Sequence, residues 1–161
     1  MYGYYLAANN LLAQTKESGA DRDLLVFPIC YLFRHTIELQ LKSVICLSRQ
    51  LFDEPVNAPK HHKILDLWTL SKGFLRRAEP GKSDPVEFRR LDEIIKNFAE
   101  VDYDAQAFRF PTASDDLPTL TKVHEISLSE VGNDANFATL FLGGCEDWLG
   151  EFLDFKNWET S

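Results

Sequence analysis

An all-α fold, an antiparallel bundle of four to five helices with one long ordered loop before the last, is what three observations in this sequence predict. Apolar residues recur at helical spacing in five separate stretches, no stretch sustains the alternation of a strand, and most connections are short. At 161 residues the chain is one domain, residues 1–161, long enough to bury a core without disulfide staples.

Tyr4, Tyr5, Ala8, Leu11, Leu12 and Thr15 repeat at helical spacing, and Ser18-Gly19 ends the pattern, so a first helix covers about residues 2 to 17. Asp21 or Asp23 can cap the second helix, whose early Pro28 must lie in a first turn or kink the helix. This helix runs to about Gln50 and holds the stretch that organises the chain, Tyr31 to Lys42. At about 100° per residue Arg34, Glu38 and Lys42 climb one stripe with His35 beside them. Phe33, Ile37, Leu41 and Val44 form an apolar face on one side of that strip, and Leu32, Leu39 and Cys46 form another. A helix with two apolar sides belongs at the centre of a fold.

Two prolines and an asparagine between Asp53 and Lys60 mark a loop. His61 and His62 then open a third helix with Ile64, Leu65, Trp68, Ser71 and Leu75 on its apolar side. Asp84-Pro85-Val86-Glu87 reads as N-cap, first-turn proline and reciprocal glutamate, and Phe88, Leu91, Ile94, Ile95 and Phe98 face inward behind it. Residues 101 to 133 lack a sustained period and form the long loop, in which Phe108-Arg109-Phe110-Pro111 is extended because the residue before a proline avoids the helical region. Asn133 or Asp134 caps the last helix, with Phe137, Leu140, Phe141, Trp148, Leu149, Phe152 and Phe155 at helical spacing. Gly143-Gly144 implies a kink or a closely approaching helix there.

A 45% apolar composition with 12 Phe excludes a disordered chain, and a formal charge of −8 opposes loose electrostatic attachment to nucleic acid or an anionic membrane. Cys30, Cys46 and Cys145 are odd in number and sit in apolar helical contexts, which suits buried thiols in a reducing compartment. No apolar run is expected to reach the roughly 18 residues of a membrane span, and no basic leader precedes an apolar core. The cytoplasm is the expected location, with no membrane partner. The pairs Asp115-Asp116 and Glu146-Asp147 read as solvated surface.

The run from Tyr31 to Lys42 resembles the second-helix signature of HEPN-like helical-bundle proteins, in which a Glu, three residues and a Lys sit in an apolar helix. His62-Lys63-Ile64-Leu65-Asp66-Leu67-Trp68 is similar to the family's His-Asp-Leu-then-Leu-Trp helix start. Asp102 with Phe108-Arg109-Phe110-Pro111 is similar to its Asp followed by Phe-Arg-Tyr-Pro. The match covers about residues 28 to 111, with Lys63 where an Asp is usual and Phe110 where a Tyr is usual. The resemblance implies four main helices, frequent dimers, and membership of bacterial toxin–antitoxin or phage-defence systems and of several non-catalytic binding roles.

Catalytic relatives in that superfamily carry an Arg and then, a few positions later, a His, paired across a dimer to cleave RNA without metal. Here no Arg is followed at that spacing by a His, since Arg34 adjoins His35, and His61 and His124 follow Arg49 and Arg109 at much longer intervals. The residues therefore leave three readings. One is a non-catalytic binding or regulatory module with a polar cluster of Arg34, His35, Glu38, Lys42, His62, Asp102 and Arg109. A second is a metal-independent endoribonuclease with an atypical site of Arg34, His35, His62 and Arg109, in which His moves a proton and Arg stabilises phosphate charge. The third is a structural homodimer whose best sequence feature is Gly143-Gly144 beside Phe141 and Trp148. Against the cluster stand ordinary readings: a helix-surface ion ladder for Arg34, Glu38 and Lys42, a packed histidine for His35, a solvated helix start for His61-His62, and core anchors for Phe108 and Phe110. His62 and Asp66 lack the rest of a zinc ligand set, so neither metal nor cofactor is expected. A homodimer and a protein encoded by a neighbouring gene are the expected partners, with RNA or a nucleotide next.

Overall fold

In the computed structural model, residues 1–17, 21–102, 105, 108 and 126–159 are described. Among them the chain forms five helices and no strand: α1 (Tyr2–Glu17), α2 (Arg22–Leu51), α3 (Ile64–Ala78), α4 (Val86–Val101) and α5 (Leu128–Glu159). α2 touches α1, α3 and α5, while α4 packs on α3 and α5. The four helices α2 to α5 therefore close a ring, and α1 lies over the seam between α2 and α5.

Residue pairs give the directions. Trp68 and Lys72 of α3 meet Asp92 of α4 while Arg76 meets Asp84, so α3 and α4 are antiparallel. Phe88 meets Phe141 and Arg90 meets Phe137, so α4 and α5 are antiparallel too. The 52–63 segment behaves differently, because it returns along α2 before α3 begins. His62 then stands beside Glu38 and Phe74 beside Phe52, so α3 runs the same way as α2. α5 also runs with α2, with Gln40 bonded to the Thr139 carbonyl and Lys156 to that of Leu51. The return gathers the start of α3, the end of α4 and the Arg34 to Lys42 stretch at one level of the bundle.

α2 is central for the reason its pattern predicts. Phe33, Ile37, Leu41 and Val44 are completely buried, each a side chain whose burial is worth about 1.5 to 3 kcal/mol, and Leu32, Leu39 and Cys46 are half-buried on the second side. Among the described residues α2 is also a helix long and apolar enough to cross a membrane, which corrects the expectation that no stretch reaches that length. Half of its most apolar window is buried inside the bundle. Pro28 stands inside α2 rather than in its first turn. The carbonyl that loses its donor belongs to Leu24, and both residues are exposed.

The apolar positions expected on α4, Phe88, Leu91, Ile94, Ile95 and Phe98, are all buried. Its start differs from the expected capping box. Asp84 receives Arg76 Nε at 2.8 Å and Nη2 at 2.5 Å instead of capping, and the N-cap position falls on Pro85. Asp21 likewise occupies the N-cap of α2 without a side-chain cap bond. α5 begins at Leu128, before Asn133 and Asp134, with the Ser127 hydroxyl accepting the Glu130 N–H at 3.4 Å. No break falls at Gly143-Gly144. The close approach is made one stretch earlier, where a Cβ on Gly132 would lie 2.5 Å from Leu12 of α1. The fully buried side of α5 is Ala135, Ala138, Leu142, Leu149 and Leu153; of the series read from spacing, Leu149 is buried and Phe137, Phe141 and Trp148 pack half-buried against the core, while Leu140, Phe152 and Phe155 are exposed. Glu146, expected on the surface, is half-buried against α2. Burial pushes its carboxyl above the ordinary range, opposed by hydrogen bonds from Ser43 and Gln40. All three cysteines are free, and burial pushes the Cys30 and Cys145 thiols up to about 12.

Candidate functional site

The charged strip of α2 is buried as it climbs. Arg34 is 0% exposed and Glu38 1%, because α3 and Asp102 close over them. A guanidinium in that position must be matched on every side. Arg34 donates from Nε to the Asp102 carbonyl at 3.0 Å, from Nη1 to Glu38 Oε2 at 3.1 Å, and from Nη2 to the His62 carbonyl at 2.6 Å. Its Nε also lies 3.3 Å from the Asp102 carboxylate, which is itself fully buried. One side chain thus ties α2 to the end of α4 and to the start of α3.

Glu38 is the second hub. Its Oε1 takes Lys42 Nζ at 2.8 Å and stands 2.7 Å from His62 Nδ1, while Oε2 takes Arg34. Burial would raise the Glu38 carboxyl, but the hydrogen bonds and charges of Lys42 and His62 outweigh it and hold the group below the ordinary range. His62 is half exposed, so a fixed carboxylate orients an imidazole that reaches solvent. His61 beside it is exposed and accepts the Lys63 N–H at 3.3 Å.

His35 stands apart from this bonding. The Tyr31 ring stacks on it at 5.6 Å and the Tyr4 ring meets it edge-on at 4.8 Å. Burial lowers its basicity, Glu38 opposes that, and the charges of Arg34, Lys42 and His62 add to it. The structure thus brings together Arg34, Glu38, Lys42, His62 and Asp102, with His35 packed between tyrosines next to them. Arg109, His124, Phe110, Asp115 and Asp116 lie outside the described residues. Phe108 is half-buried and packed against the core.

Sequence reasoning missed that backbone carbonyls, those of His62 and Asp102, complete the Arg34 shell, since no side-chain pattern encodes them. It also missed a cleft of about 430 Å³ between the α3–α4 connection and α5, whose walls include Leu75, Phe88, Phe141 and Trp148. Only the apolar spacing of α3, α4 and α5 hinted at those residues. Among the described residues no three His, Cys, Asp or Glu side chains gather to hold a metal ion. Comparison of the chain with protein-family models, with curated proteins and with solved structures finds no match.

Proposed function

We propose that the chain is a HEPN-like binding or regulatory module without catalysis of its own, working in the cytoplasm within a bacterial defence or toxin–antitoxin type system. The observation that supports this reading is the closure of the Arg34 shell. Nε, Nη1 and Nη2 each have a protein acceptor, and the side chain is wholly buried. A guanidinium held in this way is a structural tie, whereas stabilising a phosphate in a transition state requires donors aimed at the substrate. The missing Arg-to-His spacing and the charge of −8 agree with it. The partner in this reading is a protein encoded nearby.

One feature favours the ribonuclease alternative: the Glu38–His62 pair, a buried carboxylate orienting a half-exposed imidazole, as a general base requires. His35, enclosed by Tyr4 and Tyr31, is less suited to that role. Incubation of purified protein with total RNA in EDTA, beside His62→Ala and His35→Ala variants of confirmed helicity, separates the readings. No cleavage in any sample is the expected result. Cleavage by the wild type that disappears in folded His62→Ala protein would replace the first reading with the second.

A further inference from the structure

The cleft beside α5 has its origin in unequal helix lengths. α4 begins at Val86 and meets α5 at Phe141, where the Phe88 and Phe141 rings stand edge to face at 5.8 Å, while α5 continues to Glu159. Past Phe141, the side of α5 that holds Gly144 and Trp148 faces the end of α3 and the 82–85 connection, and a space of about 430 Å³ stays open between them. That lies inside the roughly 300 to 1,000 Å³ of small-molecule sites. Gly144 helps to keep the space open. A glycine inside a helix forfeits helix propensity, and here no neighbour requires it, because nothing lies within 4 Å of where its Cβ would be. A longer side chain at this lining position would fill the cleft.

The walls say what kind of molecule fits. Leu75, Phe88, Phe141 and Trp148 supply apolar and aromatic surface, against which a flat ring can make edge and face contacts like those of the two phenylalanines with each other. The rim is charged but matched within itself: Arg76 donates twice to Asp84, and Lys82 pairs with Glu79. Cys145, also in the wall, is an uncharged thiol because burial pushes it up to about 12. A charged ligand would enter an apolar space whose surrounding ions already have partners, and would lose water without compensation. A neutral one meets no such cost.

We infer that this cleft binds a small, neutral, aromatic molecule between α5 and the α3–α4 connection. The inference is independent of the reading given to the Arg34 network, which meets the start of α3 while the cleft adjoins its end. Prodan, a neutral naphthalene ketone whose emission moves to the blue in apolar surroundings, is a suitable probe. Its titration into the protein should give a saturable blue shift with one site per chain and a dissociation constant below about 100 μM. Anilinonaphthalenesulfonate, of similar size but anionic, should bind at least about tenfold more weakly. Gly144→Leu should weaken prodan binding by at least about tenfold and Gly144→Ala by less, while both variants melt no lower than the wild type. Trp158→Ser, which removes an exposed ring of α5 outside the cleft, should leave prodan binding unchanged. Absence of a saturable shift with the wild type, or equal or tighter binding of the sulfonate, would overturn the proposal. So would prodan binding that survives Gly144→Leu or is lost in Trp158→Ser.

Discussion

Glu38 holds a negative charge where only 1% of its side chain meets water, between Arg34, Lys42 and His62. Removing one member of a buried charged set leaves its partners uncompensated, which costs far more than losing an exposed ion pair. Glu38→Ala should therefore destabilise the fold by on the order of 3 kcal/mol. The pH dependence identifies the cause. The Glu38 carboxyl is held below its ordinary value of 4.5, so its contribution is full above that value and is lost as pH falls through the lowered one. Denaturant melts of wild type and variant should accordingly differ most near neutrality and converge in acid. A difference below about 0.5 kcal/mol, or one that grows as pH falls, would refute this account. The stripe of Arg34, Glu38 and Lys42 was legible from four-residue spacing. Its burial was legible only as an inference from apolar faces on both sides, because the lid comes from α3 and Asp102, distant in sequence.

At the scale of the helix, the glycines show where a pattern misleads. Gly143-Gly144 invited a kink, yet α5 is continuous and the tight spot is Gly132, a single glycine with no unusual neighbours in sequence. Only the position of α1 over the α2–α5 seam creates that constraint, and no local signal carries it. In Gly132→Ala the new methyl would meet only Cδ2, the far end of the Leu12 side chain, so Leu12 can turn aside and the crowding should roughly cancel the gain of about 0.5 to 1 kcal/mol from helix propensity. Gly73→Ala, on the exposed side of α3 with nothing within 4 Å, should instead stabilise by about 0.5 to 1 kcal/mol through helix propensity alone. A thermal stabilisation by Gly132→Ala as large as that by Gly73→Ala would contradict this placement of α1. The ends of helices were read less well than their interiors for a related reason. Asp84 has the chemistry of a cap, but Arg76 across the connection forms two hydrogen bonds with it, so the tertiary pair prevails over the local motif.

For the molecule as a whole, the helical class and the central place of α2 follow from spacing, whereas the direction of α3 does not. It depends on the 52–63 segment folding back along α2, where Arg49 bonds to Asn57. The outcome is an unequal distribution of support. α2 is enclosed by α1, α3 and α5, and Ile29, Phe33, Ile37, Leu41, Val44 and Ile45 are fully buried. α1 fully buries only Ala8 and Leu12, with Tyr5 and Leu11 half-buried against the core, and an isolated helix of its 16 residues is close to the length that is marginal in water. Opening α1 therefore exposes less apolar surface than opening the middle of α2, which dismantles the core. Native-state hydrogen exchange should show the amides of Phe33 to Ile45 exchanging only through global unfolding, and those of α1 through a smaller opening at distinctly lower free energy. Equal protection in α1 and mid-α2 would mean that α1 belongs to the cooperative core, and that the four-helix ring does not stand without it.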